Sequence, residues 1–260
     1  MGLKNWVRLD IDTKDAISID IKKHCFDNTD KADIYFPGHG GIWTFGKDEI
    51  FNQSWVDYVK ETCPHLDVTG ALVFWRAPGY QHAGAHIDVA PNNSPSRVEG
   101  IEYENNFHAT NSSDSMDKKD FYPVVSSYNW VLDEGDDSAM TWHTPKPFHT
   151  SKEAILELKK FTDAVHYDEV PLDKLDEIDR CTIGHDKLVM VRTNVLHNVD
   201  MGQQERWAIS ARCVMNWATW DEAVEKLQPW IEKPKEFGGP SGAEPTRFGT
   251  WESKGREVDF

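Results

Sequence analysis

The sequence predicts a mainly β chain with flanking α-helices, and three features carry the prediction. Ala71 to Arg76 (ALVFWR) is apolar and aromatic almost throughout, as a buried strand would be. Tyr128 to Asp133, the acidic turn Glu134-Gly135-Asp136-Asp137, and Ser138 to His143 read as a hairpin. Leu188 to Val191 and Arg206 to Arg212 add two strands late in the chain.

In chain order, residues 1–66 read as an α/β preface packing on the core. Thr13 to Cys25 can form a short helix, with Thr13 as N-cap and Ile17, Ile21 and His24 on one side. Phe36 to Gly41 is a turn-rich breaker. Lys47 to Cys63 repeats Ile50, Phe51, Trp55, Tyr58, Val59 and Thr62 at helical spacing, and Pro64 stops it. The core is expected over 67–232, with insertions at 90–120 and 151–180. Ser151 to Val165 and Asp221 to Ile231 read as helices, and 233–260 as an extended tail rich in Pro, Gly, Ser, Lys and Glu.

With 260 residues and 39% hydrophobic content, the chain can bury a sizeable core. A net charge of −16 would repel a phosphate backbone, so nucleic acid is not expected as the main partner. Cys25, Cys63, Cys181 and Cys213 are dispersed, without the spacing of a zinc site or a disulfide framework. No apolar run is long enough to span a bilayer, and MGLKNWVRLDID lacks a signal-peptide apolar segment, so a cytoplasmic setting is expected.

The chemistry is concentrated in two places. His86 and Asp88 stand two apart after a strand-like run, where alternation points both to one face. A His-x-Asp alone is more often a hydrogen-bonded loop than a metal site. Downstream, a strand and short loop lead to His197, which with the first pair makes up a 2-His-1-carboxylate set suited to Fe(II). His185 is a formal competitor, but its neighbour Gly184 suits a turn. Nine residues after His197, Arg206, Ala208, Ser210 and Arg212 share one face of a strand. An inward arginine needs an anionic partner, since a buried unpaired charge is costly.

With these elements in this order, residues 70–217 resemble the Fe(II)/2-oxoglutarate-dependent oxygenases. The resemblance implies a double-stranded β-helix, a cupin-like jelly-roll of two facing sheets. It implies Fe(II) held by His86, Asp88 and His197, with 2-oxoglutarate as co-substrate and O2 as oxidant. It assigns the distal carboxylate of 2-oxoglutarate to Arg206, a supporting role to Arg212, and a co-substrate contact to Asn129. Ser210 shares the arginine face. Trp142 or His143 would line the pocket. Arg76 reads either as a pocket residue or as an edge arginine paired with a carboxylate. The loop Pro91 to Phe121 would cover the substrate.

The implied reaction is hydroxylation of a C–H bond of an amino acid, a peptidyl side chain or a small metabolite, with release of succinate and CO2. Two other classes stay open. A cupin-like dioxygenase without 2-oxoglutarate explains the ligands but leaves Arg206 without a partner. A non-catalytic β-sandwich binding module makes all three ligands ordinary polar residues.

Overall fold

The structure is a computed structural model that describes residues 4–80, 84–104, 121–146 and 170–233, and the backbone of 251–253 and 256–258. The elements run β1 (Trp6–Asp12), α1 (Ile21–Asp27), β2 (Ile34–Phe36), β3 (Gly40–Gly46), α2 (Lys47–Ile50), α3 (Gln53–Thr62), β4 (Val68–Arg76), β5 (Gly84–Ala85), β6 (Val89–Pro91), β7 (Phe121–Pro123), β8 (Ser126–Val131) and β9 (Ala139–Pro145). They continue with β10 (Val170–Pro171), β11 (Leu175–Thr182), β12 (Lys187–Arg192), β13 (His197–Asp200), β14 (Arg206–Cys213), α4 (Trp220–Leu227) and a small pair, β15 (Trp251–Ser253) with β16 (Arg256–Val258).

The protein is mainly β, and its strand pairs are antiparallel. Seven strands form one sheet in the order β1-β12-β8-β14-β4-β3-β2, and three form a second in the order β11-β9-β13. Two-residue alternation builds both layers from the large sheet. Val73 and Trp75, Tyr128 and Trp130, and Trp207 and Ile209 point to one side, against Ile21 and Cys25 of α1, Trp55 and Val59 of α3 and Val224 of α4. Their neighbours Phe74, Val131 and Ala208 point to the other side, against Met140, Trp142, Cys181 and Val199 of the small sheet. Helices, large sheet and small sheet therefore stack in that order.

Several expectations are corrected. Tyr128 to Asp133 and Ser138 to His143 are strands but not a hairpin. β8 is already flanked by β12 and β14, so after the acidic turn the chain crosses to the small sheet. The preface is not a separate layer on the core: β1 pairs with β12, and β3 pairs with both β2 and β4, so it supplies three of the seven strands. Thr13 caps no helix. Its hydroxyl donates to His185 O at 2.8 Å, tying the end of β1 to the β11–β12 turn, and Ile17 forms an extended bridge with Phe51. The helix starts instead at Ile21, where Asp20 accepts from Lys23 N. The expected helix over 47–63 is broken at Phe51-Asn52, where Asn52 caps α3.

The front of the 90–120 insertion is no free cover. Ser96 O accepts from Met215 N, Tyr103 Oη donates to Met215 O, and Glu104 N donates to Ala218 O, which pins 91–104 to the segment after β14. Its remainder, 105–120, lies outside the described residues, as do the expected helix Ser151 to Val165 and most of the tail. Within that tail the described backbone forms the β15–β16 pair. Cys25, Cys63, Cys181 and Cys213 are buried free thiols. No helix among the described residues is long and apolar enough to cross a membrane.

Candidate metal centre

His86, Asp88 and His197 come together at the end of the small sheet. His86 follows β5, and His197 opens β13. Their backbones exchange two hydrogen bonds, His86 N to His197 O at 2.9 Å and His197 N to His86 O at 3.0 Å. Asp88 N donates to Thr193 O at 2.9 Å, and Val124 N donates to Asp88 O at 3.0 Å. Both flanks of the carboxylate are thus fixed by main chain. One potential ligand atom from each of the three residues lies within 4.8 Å of the others.

The donor chemistry fits a divalent cation. His197 Nδ1 lies 2.9 Å from Val195 O, so in the neutral ring Nδ1 carries the proton and the Nε2 lone pair faces the centre. That Nε2 is 3.7 Å from Asp88 Oδ1, and His86 Nε2 is 3.6 Å from the same oxygen. Burial pushes His197 down to about 4, with His86 adding to the shift, so the imidazole is an available ligand at neutral pH. Burial opposes the charge on Asp88. The hydrogen-bonding His86, His197 and Arg212 outweigh it and hold the carboxyl well below its usual range. Two imidazoles and one carboxylate converging on a point are a donor set that could hold a divalent cation.

The triad lines a cavity of about 350 Å³ that also contains Asn129, Ser210, Arg76, Arg206 and Arg212. The face shared by Arg206, Ala208, Ser210 and Arg212 does point into it, as alternation along β14 predicts. Arg206 is buried, and its Nε donates to Ser138 Oγ at 2.8 Å. No carboxylate among the described residues lies within ion-pair distance of it. Burial pushes its guanidinium down to about 10, Asp136 opposing and Arg76 adding to the shift. Arg76 is its direct cross-strand neighbour on β4. The Arg76 Nη1 donates to Trp75 O at 2.8 Å and to Gly41 O at 3.3 Å, and its guanidinium lies 5.7 Å from the Tyr80 ring centre.

Ser210 stands opposite both Leu72 and Asn129. Arg212 Nη1 and Asn129 Oδ1 are buried with no hydrogen-bond partner among the described residues, and Asn129 Nδ2 has only Met140 Sδ, at 3.5 Å. Buried polar atoms without partners call for an explanation, and a ligand in the cavity supplies one.

Trp142 and His143 do not line the cavity. Trp142 is fully buried between the sheets, its Nε1 donating to Arg192 O at 2.8 Å. The next residue points the other way: His143 Nε2 lies 2.9 Å from Thr141 Oγ1. On β9 it is Met140 that reaches the cavity. His185 sits in the turn before β12, away from the triad.

Sequence reasoning missed the outer wall, made by Ile34, Phe36, His39, Gly40 and Ile42 of the β2–β3 hairpin. The breaker around Phe36 to Gly41 is the tip of that hairpin, and it lies over Arg76. A Cβ on Gly40 would meet Trp75 O at 2.9 Å and Arg76 Nη1 at 3.0 Å, so only glycine fits unchanged. The alternation of Gly40 and Ile42 hints at a shared face, but nothing local says that the face meets β4.

Comparison with known proteins gives three findings. A family described as "Protein of unknown function (DUF1674)" matches residues 221–260, beyond the last cavity residue, Arg212. The UPF0369 protein of Rickettsia conorii is 30% identical over 82 residues, which is 32% of this chain and 83% of that protein. The UPF0369 proteins of Rickettsia felis and Rickettsia prowazekii are each 53% identical over 30 residues, 12% of this chain and 38% of theirs. Among solved structures, the coconut allergen cocosin matches 73% of this chain and 30% of its own at 9% identity, with a TM-score of 0.28. A likeness that low carries no argument.

Proposed function

The chain belongs to the UPF0369 family, and we propose that its core is an Fe(II)/2-oxoglutarate-dependent oxygenase on a double-stranded β-helix, a cupin-like jelly-roll. The observation that carries the reading is one cavity holding both the His86–Asp88–His197 donor set and the buried cation Arg206, which has no ion-pair partner among the described residues.

His86, Asp88 and His197 would hold Fe(II), His197 through Nε2 because Val195 O engages its Nδ1. Asp88 supplies the negative charge, held ionised by its neighbours. Arg206 is the grip for the distal carboxylate, because a planar guanidinium matches a carboxylate through two parallel hydrogen bonds. Arg212 and Asn129 offer Nη1 and Oδ1, without partners among the described residues, beside the metal end, and Arg212 supports the charge on Asp88. The chemistry that Fe(II) and 2-oxoglutarate supply when bound is oxidative decarboxylation to succinate and CO2, coupled to oxygen insertion into a C–H bond. Ile34, Ile42, Phe74 and Met201 form an apolar wall that would limit water at the reacting centre. The substrate expected there is an amino acid, a peptidyl side chain or a small metabolite.

The test is anaerobic titration of metal-free protein with Fe(II) and then 2-oxoglutarate, followed by aerobic succinate release against a panel of amino acids and peptides. One Fe(II) per chain, together with 2-oxoglutarate binding that needs Arg206, supports the proposal. Iron binding without 2-oxoglutarate binding would leave a cupin-like dioxygenase. No metal binding would leave a β-sandwich binding module.

A further inference from the structure

We infer that Glu104 is a positioning residue for the metal centre: it braces, from behind, the turn that holds Asp88 and His197. The inference rests on the metal-centre reading above. It also gives the front of the 90–120 insertion a role, as a strut and not as a cover over substrate.

The turn between β12 and β13, Thr193 to Leu196, touches Asp88 and His197 directly and reaches His86 through His197. Thr193 O accepts from Asp88 N at 2.9 Å, and Val195 O lies 2.9 Å from His197 Nδ1. His197 in turn pairs with His86 through main chain. Thr193 is anchored on the cavity side, its N donating to Val125 O at 3.2 Å and its hydroxyl to Val124 O at 2.7 Å. A shift of this turn would therefore move the metal ligands together.

On its far side the turn is held by Glu104. Asn194, which is fully buried, donates from Nδ2 to Glu104 O at 3.1 Å and to Glu104 Oε2 at 3.2 Å. Its Oδ1 accepts from Arg192 Nε at 3.1 Å, and Arg192 Nη2 reaches both Glu104 carboxylate oxygens at 3.0 and 3.1 Å. The buried amide is thus satisfied entirely by this pair. Glu104 is itself located by its own N, which donates to Ala218 O, and by Trp220 N, 3.4 Å from its Oε2. One carboxylate joins the insertion, the ligand-bearing turn and the start of α4. Glu104 has no place in the cavity, so its influence on metal would come only through position. Outer partners that orient ligands commonly change metal affinity by about 10–100-fold.

The test uses the full chain stripped of metal and titrated with Co(II), whose d–d absorption reports ligand geometry. Wild type is expected to bind one Co(II). Glu104→Gln keeps the shape but places an amide against Arg192. It is expected to bind Co(II) about tenfold or more weakly, with altered d–d bands and a cooperative thermal transition retained. Arg192→Lys keeps the charge but loses the fork, and is expected to change affinity and bands in the same direction. It reads the brace alone should Glu104→Gln fail to fold. If both folded variants bind Co(II) with wild-type affinity and bands, the inference is overturned, even where their melting temperatures fall. If wild type itself binds no Co(II), the metal reading fails first and takes the brace with it.

Discussion

At one end of the cavity, the candidate ligands His86, Asp88 and His197 are held by hydrogen bonds between neighbouring stretches of main chain. At the other end, Arg76 and Arg206 face each other across β4 and β14 as two buried cations, anchored through the carbonyls of Trp75 and Gly41 and the hydroxyl of Ser138. The triad is fixed by main chain, so under the proposed reading its geometry would cost little when a cation bound. Arg206, buried and bonded to the neutral Ser138 hydroxyl, has no carboxylate within ion-pair distance among the described residues, which makes an arriving anion the larger electrostatic gain at that end. One end is organised by backbone, the other by charge.

The largest effect is expected at the candidate ligands. His86→Ala and His197→Ala should each weaken Fe(II) binding by more than about a hundredfold, since the loss of a ligand exceeds the loss of an outer partner. Thermal unfolding should stay cooperative. Anaerobic equilibrium dialysis checks this, and a folded double variant that keeps stoichiometric iron would end the assignment.

The next effect separates the ends by pH. In metal-free protein, His197 sits at about 4 when folded against an ordinary value of 6.5. Its contribution to stability is therefore fully present above 6.5 and is lost as the pH falls toward 4, because the unfolded chain takes up the proton first. The loss should approach about 3 kcal/mol across that window. Urea midpoints measured through the window would show it, and His197→Gln should flatten the slope. A wild-type slope as flat as that variant's would mean that His197 is not held neutral by burial.

At the arginine end, Arg206→Lys should weaken 2-oxoglutarate by roughly 1.5–3 kcal/mol, the scale of hydrogen bonds to a charged group, with Fe(II) affinity unchanged. Calorimetric titration of the metal-loaded protein measures the first, and anaerobic titration of metal-free protein with Fe(II) the second. Should Arg212→Lys abolish 2-oxoglutarate binding while Arg206→Lys leaves it intact, the two roles are exchanged. The smallest expected effect is at Gly40. A methyl there crowds Trp75 O and Arg76, so Gly40→Ala should cost about 1 kcal/mol of stability and lower 2-oxoglutarate affinity more than iron affinity. Equal loss of both would show that the hairpin supports the whole cavity and not one end.

Features with a short period can be read from the residues alone. The common face of Arg206, Ala208, Ser210 and Arg212 was legible because side chains alternate every two residues, and the structure puts all four on the cavity. His86, Asp88 and His197 were legible as residue types suited to one metal, and the structure brings them within 4.8 Å. Strands at Ala71 to Arg76, Leu188 to Val191 and Arg206 to Arg212 were legible from composition.

Which strands are neighbours is set by long-range packing. Arg8 lies opposite Val189, Gly40 opposite Arg76, and β8 between β12 and β14, so an apparent hairpin crosses between sheets and the preface becomes part of the large one. The same holds for Trp142, an aromatic that the resemblance assigns to the cavity and packing buries between the sheets, and for Glu104, whose partners include Arg192 and Trp220. Pairing and packing depend on which distant segments share a core, and the free energy that selects them is spread over contacts that no local window of sequence contains.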